Sequence, residues 1–344
     1  MGTGLIVIHF GEPPTPDRNA VERYLRRIFR QNMDLENVAD PDARVNALVQ
    51  RRTPALLEEY AEIGGSPLNE QAERQAAALA GTLADRSHNV EITTAYQFVD
   101  PTIADGLATL RDAGCTEIIA LPLYPLCGPT TTVAAVEEVE RVCAGASDWD
   151  PTVTNVTGWH RHPDYLRLRA DHLRSCLDER GLDPNAADTS VLWSAHGTPM
   201  KYVTAGSRYV TYVEEYCAAV GALADVPPEP IGYQNHENRG IEWTAPSIED
   251  VIGSATADTV VIEPVSFMHE QSETLSELDI ELAARARDRG LSFHRVPVPH
   301  DDDRFPDVLA DLIEPFLAGV PPELFQLRPC SCHDGDRTFC RNAP

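Results

Sequence analysis

Two short segments gather side chains that could move protons and hold a cation. Trp193-Ser194-Ala195-His196-Gly197-Thr198-Pro199 follows an apolar run and supplies one histidine. About 70 residues on, Phe267-Met268-His269-Glu270-Gln271-Ser272-Glu273-Thr274-Leu275-Ser276-Glu277 follows another and supplies a histidine with a row of carboxylates. Imidazole exchanges protons near neutrality, and carboxylate oxygens suit a hard divalent ion, so the pair fits proton transfer coupled to cation handling. Glu273, Glu277 and Glu281 recur every four residues, which in a helix puts them on one face. Like charges so spaced repel unless a cation or solvent relieves them.

Such groups need elements that hold them. β-branched and apolar runs bounded by turn residues predict strands over 5–10, 90–98, 117–124, 152–158, 190–195, 230–234, 259–265 and 291–296. Helical spacing fills the intervals at 20–29, 70–83, 103–112, 133–143, 165–179, 210–224 and 275–287, and a last helix is expected over 306–317. Alternating strands and helices give parallel α/β sheets, whose sites lie beyond the carboxyl ends of the strands. A weak internal repeat adds to this. Thr94-Ala95-Tyr96-Gln97 leads to Pro101-Thr102-Ile103-Ala104-Asp105, and Ile231-Gly232-Tyr233-Gln234 leads to Pro246-Ser247-Ile248-Glu249-Asp250. Each copy reads strand, helix with proline in its first turn, strand, proline. The expected fold is therefore α/β, with two similar halves with parallel sheets around an interdomain cleft. The first half runs over 1–155 and the second over 156–317, with the last helix free to pack on the first half. A Cys-rich C-terminal tail, 318–344, is expected as an appendage laid on the surface.

Composition narrows the function classes. The 344 residues are 42% hydrophobic and 24% charged, as in soluble globular proteins. No apolar run reaches the ~18–20 residues that span a bilayer, and the N-terminus lacks a basic signal-peptide region, so a cytoplasmic protein is expected. The net charge of −26 argues against nucleic acid as a partner, because phosphate binding needs a basic surface. Lys201 is the only lysine; an acidic, lysine-poor surface suggests a halophilic protein whose self-repulsion is screened by salt.

Four motifs carry a resemblance: Gly64-Gly65-Ser66-Pro67-Leu68, Leu121-Pro122-Leu123-Tyr124-Pro125, Ser194-Ala195-His196-Gly197-Thr198-Pro199 and Glu273-Thr274-Leu275-Ser276-Glu277-Leu278-Asp279. In this order and spacing the chain resembles the ferrochelatases, which insert ferrous iron into a porphyrin in haem biosynthesis. The resemblance implies a lyase with protoporphyrin IX or coproporphyrin III and ferrous iron as substrates. Insertion must remove two pyrrole protons, strip water from the cation and accommodate a bent macrocycle. The resemblance implies two similar Rossmann-like halves around a porphyrin cleft, with His196 as the proton acceptor, Glu273 as the key carboxylate, and His196, Glu273, Glu277 and His269 as metal contacts. Most family members have a histidine two residues before this glutamate; here Gln271 stands there and His269 lies two further back. Phe10, Tyr124 and Trp243 match positions that flank the ring. Gln97 stands where some relatives place an arginine for the propionates, and Gln271 would also face the porphyrin.

Eight cysteines include Cys330, Cys332 and Cys340 within fifteen residues of the end. Thiols so close in a reducing compartment suggest a soft-metal site, iron–sulfur or zinc. Many ferrochelatases end in such a tail and hold a 2Fe–2S cluster with a fourth cysteine from the first half. By that resemblance Cys127 is the fourth ligand, with Cys143 or His333 as alternatives. Two other functional readings compete: a chelatase for another tetrapyrrole such as sirohydrochlorin, and a non-catalytic haem or porphyrin carrier. An iron–sulfur protein whose tail alone is functional is a third. Oligomeric state is not legible.

Overall fold

The computed structural model describes residues 2–235, 240–265, 267–326, 328, 330–333, 335 and 337–341. In chain order the elements are β1 (Gly2–His9), α1 (Arg18–Gln31), α2 (Pro41–Ile63), α3 (Leu68–Asp85), β2 (Glu91–Tyr96), α4 (Ile103–Asp112), β3 (Cys115–Pro122), α5 (Ala134–Gly145) and β4 (Thr152–Thr157). There follow α6 (Pro163–Arg180), β5 (Thr189–His196), α7 (Met200–Thr204), α8 (Tyr209–Ala224), β6 (Ile231–Gln234), α9 (Ile248–Ser254), β7 (Thr259–Pro264), a π-helix (Glu273–Leu282), α10 (Ala283–Asp288), β8 (Ser292–Arg295), α11 (Phe305–Leu317) and β9 (Thr338–Cys340). The chain forms two units, Met1–Trp159 with Asp303–Pro344, and His160–Asp302. Among the described residues no helix is long and apolar enough to cross a membrane.

The first unit holds a parallel sheet in the order β2-β1-β3-β4-β9. Its interior strand β1 carries a continuous apolar run, Leu5 to Ile8, with no exposed surface, as expected for a strand covered on both faces. α11 lies in this unit and packs on α3; Arg86, on the residue that caps α3, bonds Asp307 at 2.6 Å and Asp311 at 2.6 Å. The second unit holds a parallel sheet in the order β6-β5-β7-β8. Leu192, Val260 and Ile262 pack there against Leu278 and Leu282 of the π-helix.

The two sheets repeat one strand order, and the sequence repeat has a structural counterpart in each. Asp100–Pro101 and Ala245–Pro246 are both cis. The N–H of Tyr96 donates to the Pro101 carbonyl at 2.9 Å, and that of Tyr233 to the Pro246 carbonyl at 3.0 Å. The prolines lie one residue before the N-caps rather than inside the first turn. Thr102 and Ser247 do the capping, accepting from the N–H groups of Asp105 and Asp250.

Three elements depart from the sequence reading. α2 runs 23 residues although Pro54 lies inside it. An interior proline removes one helical hydrogen bond, so the local pattern breaks there; burial of Val45, Leu48, Val49, Leu56 and Tyr60 against α1 offsets that loss. The segment expected as an ordinary helix from residue 275 is a π-helix over its first turns. The tail is no surface appendage: β9 is buried at Thr338 and Cys340 and extends the sheet beside β4, and Phe339 packs on Phe316 and Phe325.

Candidate active site

In the second unit the strand order reverses between β5 and β7, the place where an open α/β sheet leaves a crevice at its carboxyl edge. His196 is the last residue of β5 and pairs in register with Gln234, the last residue of β6. The loop after β7 leads into the π-helix, whose first residue is Glu273. These three chain ends converge. His196 Nε2 lies 3.3 Å from Glu273 Oε1. Gln271 Nε2 donates to the other oxygen, Oε2, at 2.7 Å. Gln234 Nε2 donates to the Glu273 carbonyl at 3.1 Å and to Glu277 Oε2 at 3.0 Å, while Ser194 Oγ donates to Gln234 Oε1 at 3.0 Å. Ser194 thereby sets which end of the Gln234 amide faces the carboxylates.

His196 is itself held from behind. Its Nδ1 lies 2.6 Å from the Gly197 carbonyl, which can only accept, so Nδ1 carries a proton and Nε2 is the atom free to exchange one. Tyr209 donates its hydroxyl to the His196 carbonyl at 3.0 Å. Gly197 explains the glycine of the motif. A Cβ there would meet Asn235 Oδ1 at 1.8 Å and the Gln234 carbonyl at 2.9 Å, so no other residue fits beside β6.

Burial alone pushes the His196 pKa down. The Glu273 carboxylate and its hydrogen bond, Glu277 beyond it, and the Gly197 carbonyl together raise it, to about 9. An ordinary imidazole titrates near neutrality; beside this carboxylate row the balance at neutral pH shifts toward the imidazolium. The row itself divides in two. Glu273 and Glu277 face His196 and Gln234, whereas Glu281 is exposed. Glu270 and Asp279 are engaged elsewhere: Arg295 bonds Glu270 at 2.9 Å and both oxygens of Asp279 at 2.7 Å, and the Val298 N–H donates to Glu270 at 2.9 Å. His269 is buried, 5% exposed, two residues before Gln271. Trp243 sits in a segment bridged to the loop after His196: it pairs with Pro199, and the Met200 and Thr244 N–H groups donate to Glu242 and Thr198.

The other sequence candidates lie in the first unit, around the corresponding reversal between β1 and β3. Phe10 follows β1 and packs 4.6 Å from Phe98, ring to ring. Tyr124 follows β3 and donates its hydroxyl to Gln97 Oε1 at 2.5 Å. Gln97 in turn donates to the Thr130 and Thr131 carbonyls at 3.4 Å. Burial raises the Tyr124 pKa well above the usual phenol value, so it remains a neutral donor. Gln234, which sequence reasoning passed over, had a signal: the repeat places it opposite Gln97.

The cysteines also assemble in the first unit. Cys127 and Cys330 each hydrogen-bond with both Cys332 and Cys340. Those bonds push the Cys127 pKa up and the Cys330 pKa down. β9 brings Cys340 to the end of β4, and Gln326 clamps that strand by donating to the Thr338 carbonyl at 2.6 Å and accepting from the Cys340 N–H at 2.9 Å. Cys143, on the buried face of α5, lies instead in the apolar core, and His333 bonds Glu140 at 3.0 Å.

The ferrochelatase family model matches residues 2–316. A ferrochelatase of Geobacter metallireducens is 31% identical over 320 residues, 90% of this chain and 97% of the relative. One from Thermosynechococcus vestitus is 31% identical over 340 residues, 94% of this chain and 84% of the relative. Among solved structures, SirB from Bacillus subtilis with Fe3+ matches with a TM-score of 0.53 at 13% identity, covering 92% of this chain and 98% of that one, a likeness of fold alone.

Proposed function

The chain belongs to the ferrochelatase family, and from that premise we propose how its residues divide the insertion of ferrous iron into a porphyrin. One observation carries the assignment: His196 at the end of β5 and Glu273 at the start of the π-helix lie 3.3 Å apart, and each is fixed on its far side by an uncharged partner.

His196 takes the pyrrole protons at Nε2. It must first be discharged, and the metal supplies the trigger. A ferrous ion arriving at Glu273 and Glu277 cancels the negative charge that holds the imidazolium, so the His196 pKa falls, its proton passes to water, and Nε2 then takes the two pyrrole protons one after the other, giving the first to water before it accepts the second. Cation arrival and base activation are thus one electrostatic event. Gln271 and Gln234 hold the carboxylates without adding a second titrating group. His269 is a further metal contact in this reading. Phe10, Tyr124 and Trp243 provide apolar and aromatic surface for the macrocycle, and Gln97 a polar contact for its side chains.

The four cysteines fit an iron–sulfur group: soft donors, mutually in contact, three of them buried. Cys127, Cys330, Cys332 and Cys340 would hold a 2Fe–2S cluster, which when bound supplies a covalent tie between the tail and the sheet. We place the protein in a cytoplasm of high salt, on its charge of −26.

The test is anaerobic ferrous-iron insertion at molar salt with protoporphyrin IX and coproporphyrin III. Wild-type protein is expected to turn over one of them, and His196→Ala to lose roughly 10²–10⁴-fold in kcat while still binding porphyrin. A folded His196→Ala variant with unchanged turnover would sink the assignment; tight porphyrin binding without any turnover in the wild type would make the protein a carrier.

A further inference from the structure

Arg169 of α6 and Glu263 of β7 are both fully buried, at 0% exposure, and lie outside the set of residues that face His196. Arg169 Nε donates to Glu263 Oε1 at 3.1 Å, and one terminal nitrogen donates to the same oxygen. The guanidinium does not stop at the carboxylate. It also donates to the Pro264 carbonyl at 2.7 Å and, from its other terminal nitrogen, to the Phe267 carbonyl at 3.1 Å. Pro264 ends β7, and Phe267 opens the run that carries Gln271 and Glu273. One planar fork therefore grips both sides of the turn where the site loop leaves the sheet.

Stability gives little reason for such a pair. Two charges taken out of water lose much of their hydration, and apolar residues of the same volume commonly do as well or better. What an apolar pair cannot do is hold two backbone carbonyls at fixed distance. At the other end of the same loop, Arg295 performs the matching task through Glu270 and Asp279.

We propose that the buried Arg169–Glu263 pair is a positioning clasp for the loop that sets Glu273 against His196. The inference rests on the reading of His196 and Glu273 as the reacting pair. Arg169 touches neither substrate nor reacting atoms in this account; it acts through the loop.

The experiment compares Arg169→Met/Glu263→Met, Arg169→Lys, His196→Ala and Glu273→Gln, with kcat and KM for ferrous iron measured apart from protoporphyrin binding by fluorescence quenching. The double variant removes the charges together and is expected to melt at or above the wild-type temperature. Its kcat is expected to fall by at least about ten-fold, with porphyrin affinity within about two-fold of wild type, because small misplacements of reacting groups are costly to rate. Arg169→Lys keeps the charge but not the fork and is expected to fall between. A folded double variant with wild-type kcat overturns the clasp; should that variant fail to fold, Arg169→Lys with wild-type kcat overturns it. If His196→Ala and Glu273→Gln both retain full turnover, the underlying site reading fails instead, whatever Arg169 does.

Discussion

His196 and Glu273 set each other's charge, and this makes the metal-free protein sensitive to pH in a defined direction. The folded pKa of His196, about 9, lies above its ordinary value of 6.5, so folding favours the protonated form. The resulting stability is fully present below pH 6.5 and is lost as pH rises through 9. The melting temperature of metal-free protein is expected to fall over that window, and the Glu273→Gln variant to show a flatter profile; a profile identical to wild type would disconnect the two groups. Gln271→Ala removes one hydrogen bond to the carboxylate and is expected to lower kcat roughly five-fold, the equivalent of about 1 kcal/mol. At this scale the sequence was informative where a residue type is itself the chemistry. His196, Glu273 and the three tail cysteines stood out by type, spacing and family likeness, whereas Cys127 was one of three choices for a fourth partner. Gln234 and the Arg169–Glu263 pair could not, since an amide or a guanidinium in a strand or helix takes its meaning from what the fold puts opposite it.

Elements position these groups through close approaches that tolerate little. Gly197 lets β5 turn against the end of β6, and Gly197→Ala is expected to destabilise by about 1–3 kcal/mol and to displace His196. Denaturant unfolding and insertion kinetics together check this, since an unchanged kcat would mean that the turn can give way harmlessly. Strands β1 to β8 and most helices followed from periodicity, but β9 did not. The widened helix at Glu273–Leu282 did not, because acidic residues every fourth position read as an ordinary helix; such wide turns recur at functional sites. α2 was hidden by Pro54, whose local penalty is outweighed by packing that no local pattern displays.

Over the whole molecule, charge and chain order have separate consequences. With a net charge of −26, the melting temperature is expected to rise from low salt to molar potassium chloride; a salt-independent midpoint would remove the halophilic reading. Cys340→Ser is expected to abolish the visible absorption and sulfide content of anaerobically reconstituted protein and to expose β9 to protease, whereas retention of both would exclude that thiol as a ligand. The first unit is built from residues on both sides of the second in sequence: β9 completes the sheet begun by β1, and α11 covers α3. That discontinuity fixes an order of birth. Domains ordinarily mature from the amino end as the chain leaves the ribosome. Here the later-encoded unit, His160–Asp302, has all its strands before the earlier one can close. The nascent chain must therefore keep an unfinished sheet edge out of trouble while His160–Asp302 folds, until β9 emerges to pair with β4.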